Sequence, residues 1–580
     1  MMDNASAQNQ HADVADILLA KGVLNESSLE QARQRQHRLK VSCSKAILDL
    51  RLASEEETLK ALAESEYLEF LDLDQYEPSS VLLHSLPVKL VFHYQVLPVT
   101  VEDDCLTLAF GDVPSPIELG NLRLILGKRI KVVLATPSRI QSVIKLCFGI
   151  GADTVEQLRT DSQIPDLDQE IVYDVSLGRD SQLKDGTISR LVDQILAEAL
   201  RLRATDVHIE PYQDSIRLRY RIDGILQKVP VPDQLKQLYG AIVSRLKIMA
   251  DLNIAEKRLP HDGRITMKTK GEQFDLRVSV IPTKHGETIC LRILGRESLF
   301  LDLSQLGMKA EQEKLFSEMV NLPQGLVLIT GPTGSGKTTS LYAALSRANE
   351  DGRKIITIED PVEYQIEGIS QIQTREDIGL TFAGGLRSIL RHDPDVVLVG
   401  EIRDHDTAEI AVRAAQTGHL VLSTLHTNDS IGAVSRLLGM GMDSHVIGSS
   451  LVASVAQRLA RRICENCRVL DEWTDEDLRQ EMAKALSLSS YEVKVWKGGG
   501  CEQCGGQGYR GRIAIYEFFL MNDELAEAIA QGITVTRLKE EARRFGWQSL
   551  RDHAFQKIQD GVIGLDELKR VTWRLQGEMG

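Results

Sequence analysis

The stretch Gly331-Pro332-Thr333-Gly334-Ser335-Gly336-Lys337-Thr338 fits the pattern G-x-x-x-x-G-K-[ST] and follows the apolar run Leu326-Val327-Leu328-Ile329. A glycine-rich loop between a buried strand and a helix predicts a P-loop, whose backbone N–H groups cradle phosphates. The alternative is a glycine-rich turn with a chance Lys-Thr, which the flanking strand disfavours. We therefore expect a nucleoside triphosphate to be bound by Gly331, Pro332, Thr333, Gly334, Ser335, Gly336, Lys337, Thr338 and Thr339.

The size and composition of the chain exclude several classes of protein. With 580 residues, the chain is too long for a single core and predicts roughly three or four domains. Its net charge of −15 argues against a protein whose main surface binds nucleic acid. The sequence has no apolar run of about 20 residues and no signal-like start, so we expect a cytoplasmic protein.

Changes in sequence pattern divide the chain into four parts. Residues 1–150 begin with helical periodicity, in which Leu18 and Leu29 recur as Leu48 and Leu59, and strand-like runs follow. The next part, 151–185, has the composition of an acidic linker. An amphipathic helix followed by alternating strands predicts an α+β domain over 186–300. The P-loop belongs to the fourth part, 301–580.

Three apolar runs after the P-loop predict parallel strands that are buried on both faces of a sheet. The runs cover 355–358, 396–399 and 420–425, and each is followed by polar residues. Ligands bind at the carboxyl ends of such strands, so we expect these polar residues to meet beside the P-loop. They are Glu359, Asp360 and Glu363 after the first run, Glu401 after the second and His426 after the third.

Hydrolysis of a γ-phosphate needs Mg²⁺, a carboxylate that positions water and a cation that complements the transition state. We assign Glu363 as the activator of water, with Glu359 and Asp360 orienting the water or the ion. Thr338 is expected to ligate Mg²⁺. Glu401 is expected to reach the ion through water, because the position directly after its strand is a glycine.

The remaining catalytic assignments concern groups that respond to the γ-phosphate. We expect His426 to sense this phosphate, with a buried core histidine as the alternative. No arginine within 301–580 stands obviously at the phosphate. Arg277 and Arg292 of the preceding domain are therefore candidate arginine fingers, and the alternative for them is a solvated face.

Four of the eight cysteines form two C-x-x-C pairs, Cys464 with Cys467 and Cys501 with Cys504. Two such pairs can present four thiolates to one tetrahedral ion, and zinc is the natural occupant. Reduced surface thiols are the alternative. The long interval between the pairs predicts an inserted hairpin or helix.

Three residues spaced along one predicted strand, Asp206, His208 and Glu210, share a face and in principle suit a metal ion. A polar interface on an edge face explains this spacing equally well.

Several segments together resemble the secretion ATPase superfamily, of the GspE/PilB type that drives type II secretion and type IV pilus assembly. These segments occur in consistent order across about residues 186–570. They are 204–211, 255–260, the P-loop, 358–363, 400–404, 417–428 and the four paired cysteines.

The resemblance implies an α/β protein with a RecA-like motor domain over 301–580, which includes a zinc-binding insertion at 458–517 and C-terminal helices. A PAS-like α+β domain over 186–300 and a mostly helical, partner-docking domain over 1–150 would precede it. The resemblance also implies a homohexamer that uses ATP, Mg²⁺ and Zn²⁺. This hexamer would associate peripherally with the inner membrane through a platform protein and its cytoplasmic adaptor. Arg277 and Arg292 match the family's arginines that approach ATP.

The N-terminal repeat departs from a related module that binds cyclic di-GMP. The module's arginine positions are Asp13 and Cys43 in this sequence, and its glycine positions are Ala15 and Lys45. An aspartate repels phosphate and the loss of glycine closes the backbone approach, so we expect cyclic di-GMP binding to be unlikely. A further departure is His261, where relatives usually carry glutamine.

Two other classes of function compete with an assembly or secretion motor. One is a RecA-type nucleic-acid motor, such as a DNA-uptake helicase, which the acidic balance disfavours. The other is a scaffold that binds nucleotide without hydrolysing it, which the presence of Lys337, Glu363 and Glu401 argues against. Retraction motors resemble this chain but usually lack the long N-terminal region and the four cysteines.

Overall fold

The computed structural model describes residues 13–39, 41–73, 76, 78–79, 82–83, 85–102, 104–152, 154, 181–269, 272–294, 303–472 and 475–572. The chain forms two compact units, Met1–Leu294 and Gly295–Gly580. Within the described residues, every helix is too short or too polar to cross a membrane.

The first unit begins with two helix pairs. They are α1 Val14–Ala20 with α2 Glu26–Leu39, and α3 Cys43–Asp49 with α4 Glu55–Ser65. Leu18 of α1 and Leu59 of α4 are buried in one core. The repeat predicted from the leucine pattern is therefore a repeated pair of helices.

A small mixed sheet follows these helices. Its strands are β1 Glu69–Phe70, β2 Leu97–Glu102, β3 Cys105–Phe110 and β4 Arg129–Leu134, in the order β1-β4-β3-β2. Three helices belong to the same part of the chain, α5 Val88–Tyr94, α6 Pro116–Leu126 and α7 Pro137–Phe148. The described N-terminal residues thus form more helix than strand, as predicted, and add a sheet.

The rest of the first unit is an antiparallel sheet with two helices, α8 Ser181–Arg201 and α9 Leu235–Met249. The strands are β5 Ala204–Pro211, β6 Ile216–Ile222, β7 Ile225–Val229, β8 His261–Thr269, β9 Glu272–Thr283 and β10 Gly286–Leu294. Their order is β7-β6-β5-β10-β9-β8. Helix α8 begins inside the stretch predicted as an acidic linker, of which 153 and 155–180 lie outside the described residues.

The second unit is built on a seven-stranded sheet in the order β13-β12-β14-β15-β11-β16-β19. Its strands are β11 Gly325–Thr330, β12 Ile355–Glu359, β13 Ser370–Gln373, β14 Val396–Val399, β15 Leu420–Leu425, β16 Leu451–Ile463 and β19 Tyr509–Leu520. All neighbouring pairs are parallel except β16 with β19. The three runs predicted as buried parallel strands are β12, β14 and β15, and every residue in them is buried.

Helices connect these strands and follow the sheet. They are α10 Ala310–Val320, α11 Lys337–Ala348, α12 Phe382–Ile389, α13 His405–Gln416, α14 Gly432–Gly439 and α15 Ser444–Ser450, then α17 Asp523–Ala530, α18 Val535–Arg544, α19 Leu550–Gln559 and α20 Leu565–Thr572. Between β16 and β19 lie β17 Arg468–Leu470, α16 Glu476–Leu486 and β18 Trp496–Gly498. The two short strands pair antiparallel, so the segment between the C-x-x-C pairs holds both a hairpin-like pair and a helix.

A buried histidine joins the C-terminal helices to the sheet. The ring of His553 in α19 is almost completely buried, and its Nδ1 lies 3.0 Å from the backbone nitrogen of Tyr516 in β19. Burial lowers the pKa of His553 to about 4, because the charged ring would lose its hydration. The ring of His553 is therefore neutral in the folded protein at neutral pH.

The pH dependence of folding tests this packing. The ordinary pKa is 6.5, so as pH falls the unfolded chain takes up a proton before the folded chain does. The contribution of neutral His553 to the free energy of unfolding is complete above pH 6.5 and is lost towards pH 4. The loss amounts to about 3 kcal/mol. We expect His553→Gln to flatten this part of the plot of unfolding free energy against pH, measured with denaturant.

The exposed His445 of α15 provides a matched control, and His445→Gln should keep the parental pH dependence. If His553→Gln retained the full parental slope between pH 4 and 6.5, the buried neutral histidine would not be its source.

Candidate functional site

The P-loop lies between β11 and α11, as the sequence predicts. Its backbone turns sharply, with φ of +150° at Gly331 and +86° at Gly336, conformations that favour glycine. A Cβ atom at Gly331 would lie 2.6 Å from both the Gln457 carbonyl oxygen and the Ser335 Oγ. Glycine is therefore required at the first position of the loop for packing as well as for conformation.

The lysine of the loop is directed towards the loop's own backbone. Lys337 Nζ donates hydrogen bonds to the carbonyl oxygens of Gly331, at 2.8 Å, and Pro332, at 3.2 Å. Burial lowers the pKa of Lys337, and the nearby Glu401 carboxylate opposes that shift. The next residue, Thr338, is exposed at the start of α11. Lys337 thus lies against the backbone of the P-loop, and Thr338 lies on its exposed side.

The ends of β14 and β15 bring an acid and a histidine together. Glu401 Oε2 lies 3.2 Å from His426 Nε2, and Arg403 donates to the other oxygen of the same carboxylate. Burial would raise the pKa of Glu401, but Arg403 and His426 outweigh it and lower that pKa. The Glu401 side chain is 16% exposed and that of His426 is 52% exposed. His426 is therefore a surface group of the site and not a core histidine.

Arg403 also lies 4.0 Å from Asp360, which follows β12. Its guanidinium thus connects acidic groups from two strand ends. Arg403 lies within the segment 400–404, and from the sequence we expected no arginine within 301–580 to stand obviously at the phosphate.

The acid at the end of β12, Glu359, is hydrogen-bonded inside the protein. Glu359 is buried, and its carboxylate accepts hydrogen bonds from Tyr342, from Thr357 at 2.6 Å and from Gln371 at 3.2 Å. The Tyr342 hydroxyl also accepts a 3.4 Å hydrogen bond from the backbone N–H of Glu363. Glu359 therefore supports the loop that carries Glu363, whose side chain is exposed.

A second arginine that no sequence motif indicated, Arg458, lies beside the P-loop. Arg458 of β16 has its Nη1 within 3.0 Å of the position that a Cβ at Gly331 would occupy. Its Nη2 donates to the Asn428 carbonyl oxygen at 2.8 Å, in the loop that follows His426. Burial lowers the pKa of Arg458, while Glu517 and Asp429 oppose that shift. In the sequence, the signal for Arg458 is the polar pair Gln457-Arg458, which follows the apolar start of β16.

The two candidate arginine fingers belong to the first unit. Arg277 of β9 pairs in register with Arg292 of β10, and Arg292 Nε donates to Asp206 at 3.1 Å. The P-loop belongs to the second unit, so the approach of these arginines to a nucleotide stays a prediction.

The four paired cysteines converge. Their Sγ atoms lie within 4.8 Å of one another, with distances of 3.7 Å for Cys464–Cys501, 3.9 Å for Cys467–Cys504 and 3.7 Å for Cys501–Cys504. Four sulfurs held about 2.3 Å from a tetrahedral Zn²⁺ would be about 3.8 Å apart. The cluster therefore has the dimensions of a metal site.

The surroundings of Cys504 in this cluster favour its thiolate form. Burial would raise the pKa of Cys504, but N–H groups of Cys501 and Gly508 donate to its sulfur and the pKa falls to about 7.

The second candidate metal group from the sequence consists of Asp206, His208 and Glu210, and its carboxylates form ion pairs. Among the described residues, only the four cysteines form a cluster with metal-ligand geometry. Asp206 pairs with Arg292 and Arg221, and Glu210 pairs with Arg219. These ion pairs explain the spacing of Asp206, His208 and Glu210 as a polar face of the sheet, although β5 lies between β6 and β10 and not at an edge.

The chain matches known proteins along most of its length. The family profile described as type II/IV secretion system protein matches residues 181–570. The type IV pilus assembly ATPase PilB of Myxococcus xanthus is 39% identical over 563 residues, which is 96% of this chain and 98% of that protein. Type II secretion system protein E of Xanthomonas campestris is 36% identical over 575 residues, or 98% of this chain and 100% of that protein.

The N-terminal region matches a second profile, the MshEN domain, over residues 67–153. This match favours cyclic di-GMP binding and so speaks against our expectation that this ligand is unlikely. The expectation rested on positions 13–45, which precede the matched residues.

Among solved structures, the Legionella pneumophila ATPase DotB is similar, with a TM-score of 0.49 and 21% identity. The similarity covers 66% of this chain and 95% of that chain. The family profile and the full-length relatives confirm the predicted fold class and family. This chain belongs to the type II/IV secretion system protein family and is an ATPase of that family.

Proposed function

We propose that this chain is a cytoplasmic, hexameric motor that hydrolyses ATP to power pilus or pseudopilus assembly, or type II protein secretion. The contact between Glu401 and His426 beside the P-loop is the observation that carries the proposal, because it joins two strand ends next to the phosphate cradle. Relatives named as pilus assembly and type II secretion proteins support the mechanical role.

In this proposal the residues of the P-loop hold the triphosphate. Lys337 exchanges its hydrogen bonds to the loop carbonyls for the β- and γ-phosphates, and the loop N–H groups bind the phosphate oxygens. Thr338 and Glu401 would hold Mg²⁺, which neutralises charge on the phosphates when bound. The exposed hydroxyl and the ionised carboxylate are oxygen ligands of the kind that this ion requires.

The exposed Glu363 is the proposed activator of the attacking water. Glu359 orients the loop through Tyr342, and Asp360 contributes negative charge beside Arg403. His426 detects the γ-phosphate, and Glu401 keeps its ring oriented. Arg277 and Arg292 complement charge on the phosphates from the first unit.

The proposed division of labour follows the four parts of the sequence. Residues 1–150 dock on partners, 151–185 act as a linker, 186–300 carry the arginine fingers and 301–580 hydrolyse ATP. The zinc insertion spans 458–517. The partners are a platform protein of the inner membrane and its cytoplasmic adaptor, which would place the hexamer at that membrane.

Two variants test the nucleotide site. Lys337→Ala should weaken ATP binding by about 100-fold or more, because the cation at the phosphates is lost. Glu401→Gln should keep ATP affinity within about threefold but lower turnover by about 100-fold or more, because the P-loop holds the nucleotide whereas the Glu401 charge acts at Mg²⁺ and His426. Equilibrium binding and phosphate release measure the two effects.

The exposed pair Lys314 and Glu318 of α10 offers matched controls, and Lys314→Ala and Glu318→Gln should behave as the parent. Parental affinity and turnover in both site variants would contradict the assignments. Turnover stimulated by DNA but not by the platform protein would favour the nucleic-acid motor instead.

The four cysteines are proposed to bind zinc. The double variant Cys464→Ser, Cys501→Ser should lose one zinc ion per chain and loosen residues 458–517, because structural zinc contributes folding energy. Elemental analysis and hydrogen exchange of that segment measure the two effects.

Cys290→Ser in the first unit is the control and should retain the zinc. If the parent purified without chelators contained no zinc, the proposed metal would be wrong.

A further inference from the structure

The segment Thr427–Ser430, called the 427–430 segment below, connects His426 to helix α14. It crosses the end of β11, where Thr330 Oγ1 donates to the Asp429 carbonyl oxygen at 3.4 Å. Arg458 donates to the Asn428 carbonyl oxygen beside the P-loop. The backbone that follows His426 is therefore fixed to β11, which leads into the P-loop, and to β16, which pairs with β11.

The other side of the segment is fixed to the C-terminal helices. Lys539 of α18 donates to Asp429 Oδ2 at 2.6 Å, and each of these two side chains is 28% exposed. The second oxygen of Asp429 accepts from the backbone N–H of Gly432 at 2.7 Å, at the start of α14. Asp429 thus joins α18, α14 and the loop after His426.

A buried carboxylate completes this connection. Glu517 of β19 accepts hydrogen bonds from the backbone N–H of Ser430, at 2.8 Å, and from its hydroxyl, at 2.5 Å. Its other oxygen accepts from the N–H of Leu550 at 2.9 Å, the first residue of α19. Trp547 Nε1 also donates to Ser430 Oγ at 3.2 Å. Three positions of the C-terminal region therefore hold two consecutive residues of the segment.

We propose that Lys539 and Glu517 are positioning residues for ATP hydrolysis. They hold the 427–430 segment in place and thereby keep His426 facing Glu401 and the γ-phosphate. The C-terminal helices then respond to whether a γ-phosphate is bound, because movement of His426 is transmitted along four residues to α18 and α19. This inference rests on the proposed role of His426.

The side chain of Lys539 is the better place for a test, because replacement of the buried Glu517 endangers folding. Lys539→Met keeps the length of the side chain and removes its charge. We expect kcat to fall by roughly three- to tenfold in the full-length protein. We expect the affinity for a non-hydrolysable ATP analogue to fall by a similar factor while ADP affinity stays within about twofold.

The ratio of ADP to ATP-analogue affinity distinguishes positioning from general destabilisation. A purely structural defect would lower both affinities or neither, since both ligands bind the same P-loop. His426→Ala should change the ratio in the same direction. Lys539→Arg, which preserves the ion pair, should restore the parental ratio, and Arg537→Met at an exposed position of α18 should leave it unchanged.

The double variant Asp429→Asn, Lys539→Met adds a second readout. Asparagine can still accept from the Gly432 N–H, so the double variant should be no more impaired than the worse single variant. Independent, multiplying defects would overturn the proposed coupling.

The outcomes separate this inference from the proposed function. If His426→Ala changes the affinity ratio and Lys539→Met leaves both the ratio and kcat at parental values, only the inference is overturned. If His426→Ala leaves the ratio unchanged, or the parent does not hydrolyse ATP, the proposed function fails and the inference fails with it.

Discussion

The parallel pairing of β11 between β15 and β16 is the constraint on which the nucleotide site depends. In both ladders Thr330 is the last paired residue of β11, opposite Leu425 on one side and Ala456 on the other. The chain therefore leaves β11 and β15 at one level of the sheet, and β16 continues past that level to Ile463. Gly331, His426 and Gln457 follow these positions directly, which brings the phosphate loop, the histidine and the Gln457–Arg458 pair together.

The register is well determined because the strands are buried on both faces. If a parallel strand of continuous apolar residues shifted along its neighbours, the polar residues at one of its ends would become buried. The sheet thus determines where charge is placed in the site. Its half-buried groups then influence one another strongly, since the effective dielectric is lower than in water. The lowered pKa values of Lys337 and Glu401 both follow from this environment, the first from burial and the second from its cationic neighbours.

Local patterns in the sequence were sufficient for several parts of the structure. The P-loop, the three buried strands after it and the convergence of four cysteines were predicted from short motifs and apolar runs. The helical repeat at the N-terminus was also visible, since the leucine positions recur in both helix pairs. The start of α8 was not predicted, because the residues before it have the polar composition of a linker. The expectation about cyclic di-GMP concerned individual repeat positions, whereas the domain match covers the sheet that follows them.

The sequence by itself determined the chemical groups that this protein brings to its nucleotide site, because each group lies within a few residues of a recognisable strand or loop. Only the tertiary structure decided which distant side chains support them. Arg458 reaches the P-loop through a neighbouring strand, and Lys539 reaches Asp429 from 110 positions away. Such contacts depend on how strands and helices pack after the chain has closed long loops, and no local pattern encodes that packing.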